Sequence, residues 1–201
     1  MTIFITVEGI DGAGKSTHLE FIAKTFDAKS MPYILTREPG GTELGEKIRS
    51  ILLHDDMTVS TETLLMFSAR NEHLQKKILP SINQGVSVIC DRFTDASYAY
   101  QQGGKGIESN FIEVLEKLVH PELQPDLTFI FDIKPSIARS RISHERDLDK
   151  FERSSEEFFK AVRNNYLNRA KNNSRYCVID SSQTIEKIQK EILVKLEEII
   201  K

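Results

Sequence analysis

Five short apolar runs rich in β-branched residues alternate with longer segments of helical spacing, and this alternation limits the fold more than any other feature. The runs are Ile3–Glu8, Tyr33–Thr36, Val86–Asp91, Leu127–Ile133 and Tyr176–Asp180. Each is apolar on both faces, as a strand covered by helices on both sides requires. Between them, Leu64, Phe67, Leu74, Ile78 and Ile82 form one helical stripe, and Ile185, Ile188, Ile192, Leu196 and Ile199 another. Ser154 followed by Glu157 reads as a capping box that opens a further helix, with Phe158, Phe159 and Val162 on its buried face. The pattern predicts an α/β fold: a five-stranded parallel sheet with helices on both faces. At 201 residues a single domain is expected, covering positions 1–201.

The net charge of −3 excludes the broad basic face of a nucleic-acid-coating protein, but local arginine clusters for a small anion remain compatible with it. Cys90 and Cys177 both sit in apolar runs and read as buried thiols in a reducing compartment. No stretch approaches the roughly 18 consecutive apolar residues of a spanning helix. The start of the chain also lacks the basic residues and cleavage site of a signal peptide. A cytoplasmic protein is expected.

Gly9-Ile10-Asp11-Gly12-Ala13-Gly14-Lys15-Ser16 matches the P-loop pattern G-x-x-x-x-G-K-[ST] directly after the first strand. The glycines let successive backbone N–H groups point inward at phosphate oxygens, and the following helix aims its positive end at the same anion. Lys15 supplies a charge to the β- and γ-phosphates, Ser16 a hydroxyl to Mg²⁺, and Thr17 completes the cradle. Asp91, closing the third strand, could hold Mg²⁺ through a water. The chain has no Asn-Lys-x-Asp segment for guanine, and no acidic run closing a strand in the manner of a motor ATPase. A P-loop kinase fold acting with ATP and Mg²⁺ is the resulting expectation.

Further segments point to a second anionic substrate. Thr36–Thr42 (TREPGGT) follows the second strand, and Asp91-Arg92-Phe93 follows the third and runs on to Gln101. In an open parallel sheet, ligands gather beyond the carboxyl ends of the strands, where Asp11, Arg37 and Arg92 would converge. Two guanidinium groups there suit a phosphate. Met66, Arg70, His73 and Lys77 form a second stripe beside the apolar one on their helix. Blander roles remain open: Arg92 paired with Asp91, Arg70 paired with Glu72 or Glu62, Met66 as core filler and Tyr100 as a packed aromatic. The histidines show no metal-ligand spacing and read as structural.

Gly9–Ser16, Thr36–Thr42, Asp91–Gln101 and Gly103-Gly104-Lys105-Gly106, in this order and spacing, resemble bacterial thymidylate kinases over nearly the whole chain. The resemblance implies transfer of the γ-phosphoryl of ATP to dTMP by a homodimeric enzyme. It implies that Asp11 meets the sugar 3′-hydroxyl, that Arg37 and Arg92 hold the acceptor phosphate, and that Glu38 and Pro39 shape the pocket, Pro39 through a cis peptide. Arg70, supported by Arg49, would bond a thymine carbonyl. Ser97 and Gln101 would read the base edge, and Tyr100 would fill the place of a ribose 2′-hydroxyl.

Ala13 leaves the P-loop without an arginine, so the resemblance assigns the compensating charge to a lid in the charged stretch 143–153. Arg146 is the first candidate there, followed by Lys150 and Arg153. Where relatives carry an aromatic residue against thymine this chain has Met66, with Phe67 beside it as the alternative. Ala96 stands where a serine is common. Competing readings are another P-loop nucleoside monophosphate or deoxynucleoside kinase, and a nucleotide-binding regulator without turnover.

Overall fold

The computed structural model describes residues 2–142 and 149–200. Its five strands are β1 (Phe4–Glu8), β2 (Tyr33–Arg37), β3 (Ser87–Asp91), β4 (Leu127–Asp132) and β5 (Tyr176–Asp180). All pair in parallel, in the spatial order β2-β3-β1-β4-β5. The helices are α1 (Lys15–Ala28), α2 (Glu43–His54), α3 (Val59–His73), α4 (Leu79–Asn83), α5 (Thr94–Ser97), α6 (Ser109–Val119), α7 (Pro135–Arg141), α8 (Glu156–Ala170) and α9 (Ile185–Ile199).

The register places the functional loops. Asp91 of β3 lies opposite both Val7 of β1 and Arg37 of β2, so three strands end level. The P-loop, the Glu38–Thr42 loop and Arg92 therefore leave the sheet at one rim, beside the point where strand order reverses about β1. Below this rim the sheet is packed on both faces. Ile5, Val7 and Ile89 join Phe26, Ile188 and Ile192 in one core. Phe4, Val88 and Cys90 join Leu74, Ile78 and Phe93 in another. Cys90 and Cys177 are free and buried.

Three local expectations are corrected. The central strands are buried up to the partly exposed Asp91 and Asp132 that close β3 and β4, but Leu35 of β2 and Val178 of β5 are exposed. These are edge strands, which helices cover incompletely. The stripe on α3 begins at Phe67, because Leu64 is exposed. Beyond His73 the helix widens into a π-helical stretch, Leu74–Ile78, ahead of Pro80, which has no N–H to continue the ladder. The cap of α8 is Ser155 rather than Ser154: its Oγ accepts from the Phe158 N–H at 3.2 Å.

Candidate active site

The loop between β1 and α1 needs its glycines. Gly12 and Gly14 hold φ of 80° and 84°, in the left-handed region. A Cβ on Gly12 would strike the carbonyl oxygen of Ala138 in α7, whereas one on Gly14 would meet nothing. Gly14 caps α1 without a side chain, which leaves first-turn N–H groups without a side-chain acceptor, as a phosphate site requires. Lys15 is buried and donates to the carbonyls of Gly9 and Ile10 at 3.2 and 3.3 Å. Burial, followed by the nearby Arg92, lowers its pKa. A phosphate in the loop would relieve both effects.

Arg92 is the pivot of the site. Its backbone has φ 67°, strained for a side-chain-bearing residue. Glu8 holds this geometry from below: Oε1 accepts from the Phe93 N–H at 2.7 Å and Oε2 from the Tyr166 hydroxyl at 2.8 Å. Burial, reinforced by Asp95, raises the Glu8 carboxyl to about 8. The Arg92 guanidinium turns back over the P-loop, donating to the Gly9 carbonyl at 2.9 Å and to Asp11 Oδ1 at 2.6 Å. Tyr100 donates to Asp11 Oδ2 at 3.1 Å, and its ring lies 4.9 Å from the Arg92 guanidinium. Burial alone would raise the Asp11 carboxyl, but Arg92 and Lys15 outweigh it and hold the pKa at about 2. Arg92 thus does not pair with its neighbour Asp91.

Two cavities meet at this pair. One contains the P-loop residues Gly12 and Gly14–Thr17, with Asp91 and Arg37. The other runs past Pro39, Met66, Arg70, Ser97, Tyr100 and Gln101. Asp11, Glu38, Arg49 and Arg92 line both. Arg49 donates to the Pro39 carbonyl at 3.0 Å. Its pKa is lowered first by burial and then by Arg37, with Arg92 also acting in that direction. Three guanidinium groups crowded together favour an anion among them.

Arg37 lines the P-loop cavity with Arg49 and Arg92, and also a neighbouring cavity shared with Glu46, to which its Nη2 donates at 2.8 Å. Of these three arginines, Arg49 and Arg92 line both cavities, and Arg37 lines the P-loop cavity beside them. Glu38–Pro39 is a cis peptide, as expected.

The second cavity is braced by Arg70. Its Nε donates to Glu38 at 2.7 Å, and its Nη groups reach Ser97 Oγ and the Phe93 carbonyl. Glu38 is in turn bonded by His73, which meets Thr36 at 2.7 Å. Arg70 pairs with neither Glu72 nor Glu62, and His73 has the structural role expected of it. Met66 lines the cavity. Phe67 does not: it is buried with Tyr98 and Ile112, and the Arg70 guanidinium sits 4.5 Å from its ring. The alternative that put Phe67 against a ligand is overturned, because a core position already occupies that side of α3.

The charged stretch 143–153 divides. Arg146 lies outside the described residues. Lys150 turns toward α3, with Nζ 3.1 Å from Glu62 and 3.0 Å from the Asp55 carbonyl, and lines neither cavity. Arg153 is exposed and lines neither cavity. Arg141, at the end of α7, lines the P-loop cavity instead. Phe151 and Asp149 line the second cavity, a contribution sequence reasoning missed. Phe151 is the sole aromatic residue of that charged stretch, which was the available signal.

The donor set suits Mg²⁺ shared with phosphate. Asp91 Oδ1 is buried without a hydrogen-bond partner, in the cavity that also holds Ser16. Among the described residues no group of three or more His, Cys, Asp or Glu side chains could hold a metal by itself. Mg²⁺ commonly takes one or two carboxylates and completes its shell with phosphates and waters.

The thymidylate kinase family model matches residues 7–192. The chain belongs to the thymidylate kinase family. A thymidylate kinase of Methylobacillus flagellatus is 51% identical over 191 residues, covering 94% of each chain. One of Bordetella pertussis is 46% identical over 198 residues, covering 98% of this chain and 95% of the other. A thymidylate kinase crystal structure from Ehrlichia chaffeensis has a TM-score of 0.76 at 35% identity, with 98% of each chain covered. Thymidylate kinase membership thus agrees with the five-stranded parallel sheet and with P-loop and arginine-lined cavities that meet end to end.

Proposed function

We propose that the chain transfers the γ-phosphoryl of ATP to dTMP, giving dTDP and ADP. The observation that carries this is the shared wall of the two cavities, where Asp11 and Arg92 stand between the P-loop and the arginine-braced pocket. ATP lies with its phosphates on the Gly9–Thr17 loop, and Lys15 leaves the loop carbonyls for the β- and γ-oxygens. The dTMP phosphate enters between Arg92 and Arg49, with Arg37 at its outer side. In the base pocket, Arg70 and Ser97 meet a thymine carbonyl, Gln101 meets the base edge, and Met66 packs on the ring. Tyr100 occupies the space of a ribose 2′-hydroxyl. Positioning and charge stabilisation are what phosphoryl transfer chiefly asks of a protein.

Ser16, and Asp91 through water, would hold Mg²⁺, which when bound neutralises charge on the transferring phosphate. Arg146 is retained as the lid cation, with Arg141 as a described neighbour of the same cavity.

The enzyme is further read as a homodimer. Leu44 and Ile51 of α2, Leu64 of α3, and Val114 and Leu118 of α6 are exposed, Leu118 at 77%. α3 packs against both α2 and α6, which makes these one flank of the sheet. Cytoplasm is the setting proposed, consistent with the free thiols of Cys90 and Cys177. Among the described residues no helix is long and apolar enough to cross a membrane.

The decisive test is ADP release with ATP and Mg²⁺ against dTMP, dUMP, UMP, AMP and thymidine. Turnover should be fastest with dTMP and lost with thymidine, which has no phosphate for Arg92. No turnover with any of the five would leave a binding protein, and preference for AMP would leave a different kinase.

A further inference from the structure

Glu62, in the first turn of α3, is 1% exposed and gathers donors from three places in the chain. Gln101 Nε2 lies at 3.0 Å, Lys105 Nζ at 2.6 and 2.8 Å from its two oxygens, and Lys150 Nζ at 3.1 Å. Lys105 belongs to the Gly103–Gly106 run, and Lys150 to the charged stretch before α8. Both ammonium groups also flank the ring of Phe151, at 4.5 and 5.5 Å from its centre. Phe151 and Gln101 line the same cavity. The cluster therefore sits immediately behind the base pocket, away from the phosphates.

An ionised carboxylate can only accept hydrogen bonds, whereas an amide has a donating end and an accepting end. The carboxylate therefore fixes which way the Gln101 amide turns, an orientation otherwise assigned only from its partners. Its NH₂ must face Glu62, and its carbonyl oxygen faces the other way. Among the described residues no donor meets that oxygen, although Gln101 is almost wholly buried.

We propose that Glu62 is a positioning residue that locks Gln101 with its carbonyl oxygen toward the base, so that the pocket selects a pyrimidine carrying an N3–H donor and rejects one with a lone pair at N3. Thymine and uracil have that hydrogen; cytosine does not. Lys105 and Lys150 place their ammonium groups on the Glu62 carboxylate and compensate its charge inside the protein, leaving its oxygens to accept. This rests on the reading that Gln101 meets the base edge. It assigns discrimination against cytidine nucleotides to a residue that never touches the substrate. A site organised to take a hydrogen from its ligand rejects the analogue without it more strongly than an apolar pocket rejects a change of shape.

The test measures kcat/KM for dTMP and dCMP in the wild-type enzyme, Glu62→Gln, Gln101→Ala, and the double variant Lys105→Met with Lys150→Met. A glutamine at position 62 can donate as well as accept, so the Gln101 amide is free to turn. The dTMP to dCMP ratio should fall about tenfold, chiefly through a rise in KM for dTMP. The double variant removes both ammonium groups that hold the Glu62 carboxylate against Gln101, so its ratio should fall in the same direction. It carries the test if Glu62→Gln fails to fold. A purely structural role would lower both substrates together and leave the ratio alone. A folded variant of either kind with a ratio within about threefold of wild type overturns the proposal. If Gln101→Ala leaves kcat/KM for dTMP unchanged, the base-edge reading itself is overturned. A loss there with an unchanged ratio in Glu62→Gln overturns Glu62 alone.

Discussion

Arg92 Nη2 donates to Asp11 Oδ1 at 2.6 Å across 81 positions of sequence, joining the end of β3 to the P-loop where the two cavities meet. The pair joins the phosphate loop to the acceptor pocket, so its removal should damage transfer more than folding. Arg92→Ala should lower kcat/KM for dTMP on the order of 10²–10³-fold, as loss of one preorganised donor does elsewhere. The double-mutant cycle with Asp11→Asn should show coupling of roughly 1.5 kcal/mol or more in steady-state rates. Strict additivity would mean that the two residues act separately.

Asp91 offers a different readout. Its unpartnered Oδ1 reads as half of a metal site shared with phosphate. Asp91→Asn should raise the Mg²⁺ concentration for half-maximal rate by about 10–100-fold, with a smaller change at saturating Mg²⁺. An unaltered Mg²⁺ titration would remove Asp91 from that role.

Glu8 makes stability depend on pH in a definite direction. Its folded pKa of about 8 lies above the ordinary 4.5. The folded state therefore binds the extra proton between those values. Stability from this group is fully present below about pH 4.5 and declines as pH rises through about 8. Glu8→Gln cannot ionise, so the variant should gain on the wild type by roughly 1–3 kcal/mol from about pH 5 to about pH 9 in urea unfolding. A flat difference across that range would show that Glu8 is not raised.

Met66 and Phe67 should separate cleanly. Met66→Ala should raise KM for dTMP a few-fold with little change in kcat, because a thioether over a ring contributes about 0.3–1.5 kcal/mol. It should cost less stability than a fully buried position, because Met66 is only partly buried against the core. Phe67→Ala should cost about 3–5 kcal/mol of folding stability, the usual price of an emptied aromatic core position. The reverse pattern would put Phe67 at the base.

The fold was legible because buried parallel strands and amphipathic helices leave different periods in the sequence. The motifs then had to converge, since parallel strands of matched register end at one rim. Periodicity failed where its geometric premise failed. Leu64 shares the spacing of a core residue but faces outward, and the π-helical stretch at Leu74–Ile78 breaks the assumed turn. Arg49 and Phe151 were harder to rank, because cavity walls come from segments far apart in sequence. The Glu62 cluster was out of reach altogether: nothing in the sequence brings Lys105 and Lys150 onto one carboxylate. Arg146 lies outside the described residues, and its part in phosphoryl transfer remains for kinetics on Arg146→Ala, where a drop in kcat is the expected outcome.

Gly12 touches α7 so closely that there is no room for even one additional carbon beside Ala138. The Gly9–Ser16 loop and the helix that ends at Arg141 consequently share a backbone seam. A methyl group added at position 12 would push two partners at once, displacing the glycine loop and Arg141 beside it together. Tolerance to substitution there should accordingly be lower than at Gly14, where the same methyl would point into open space.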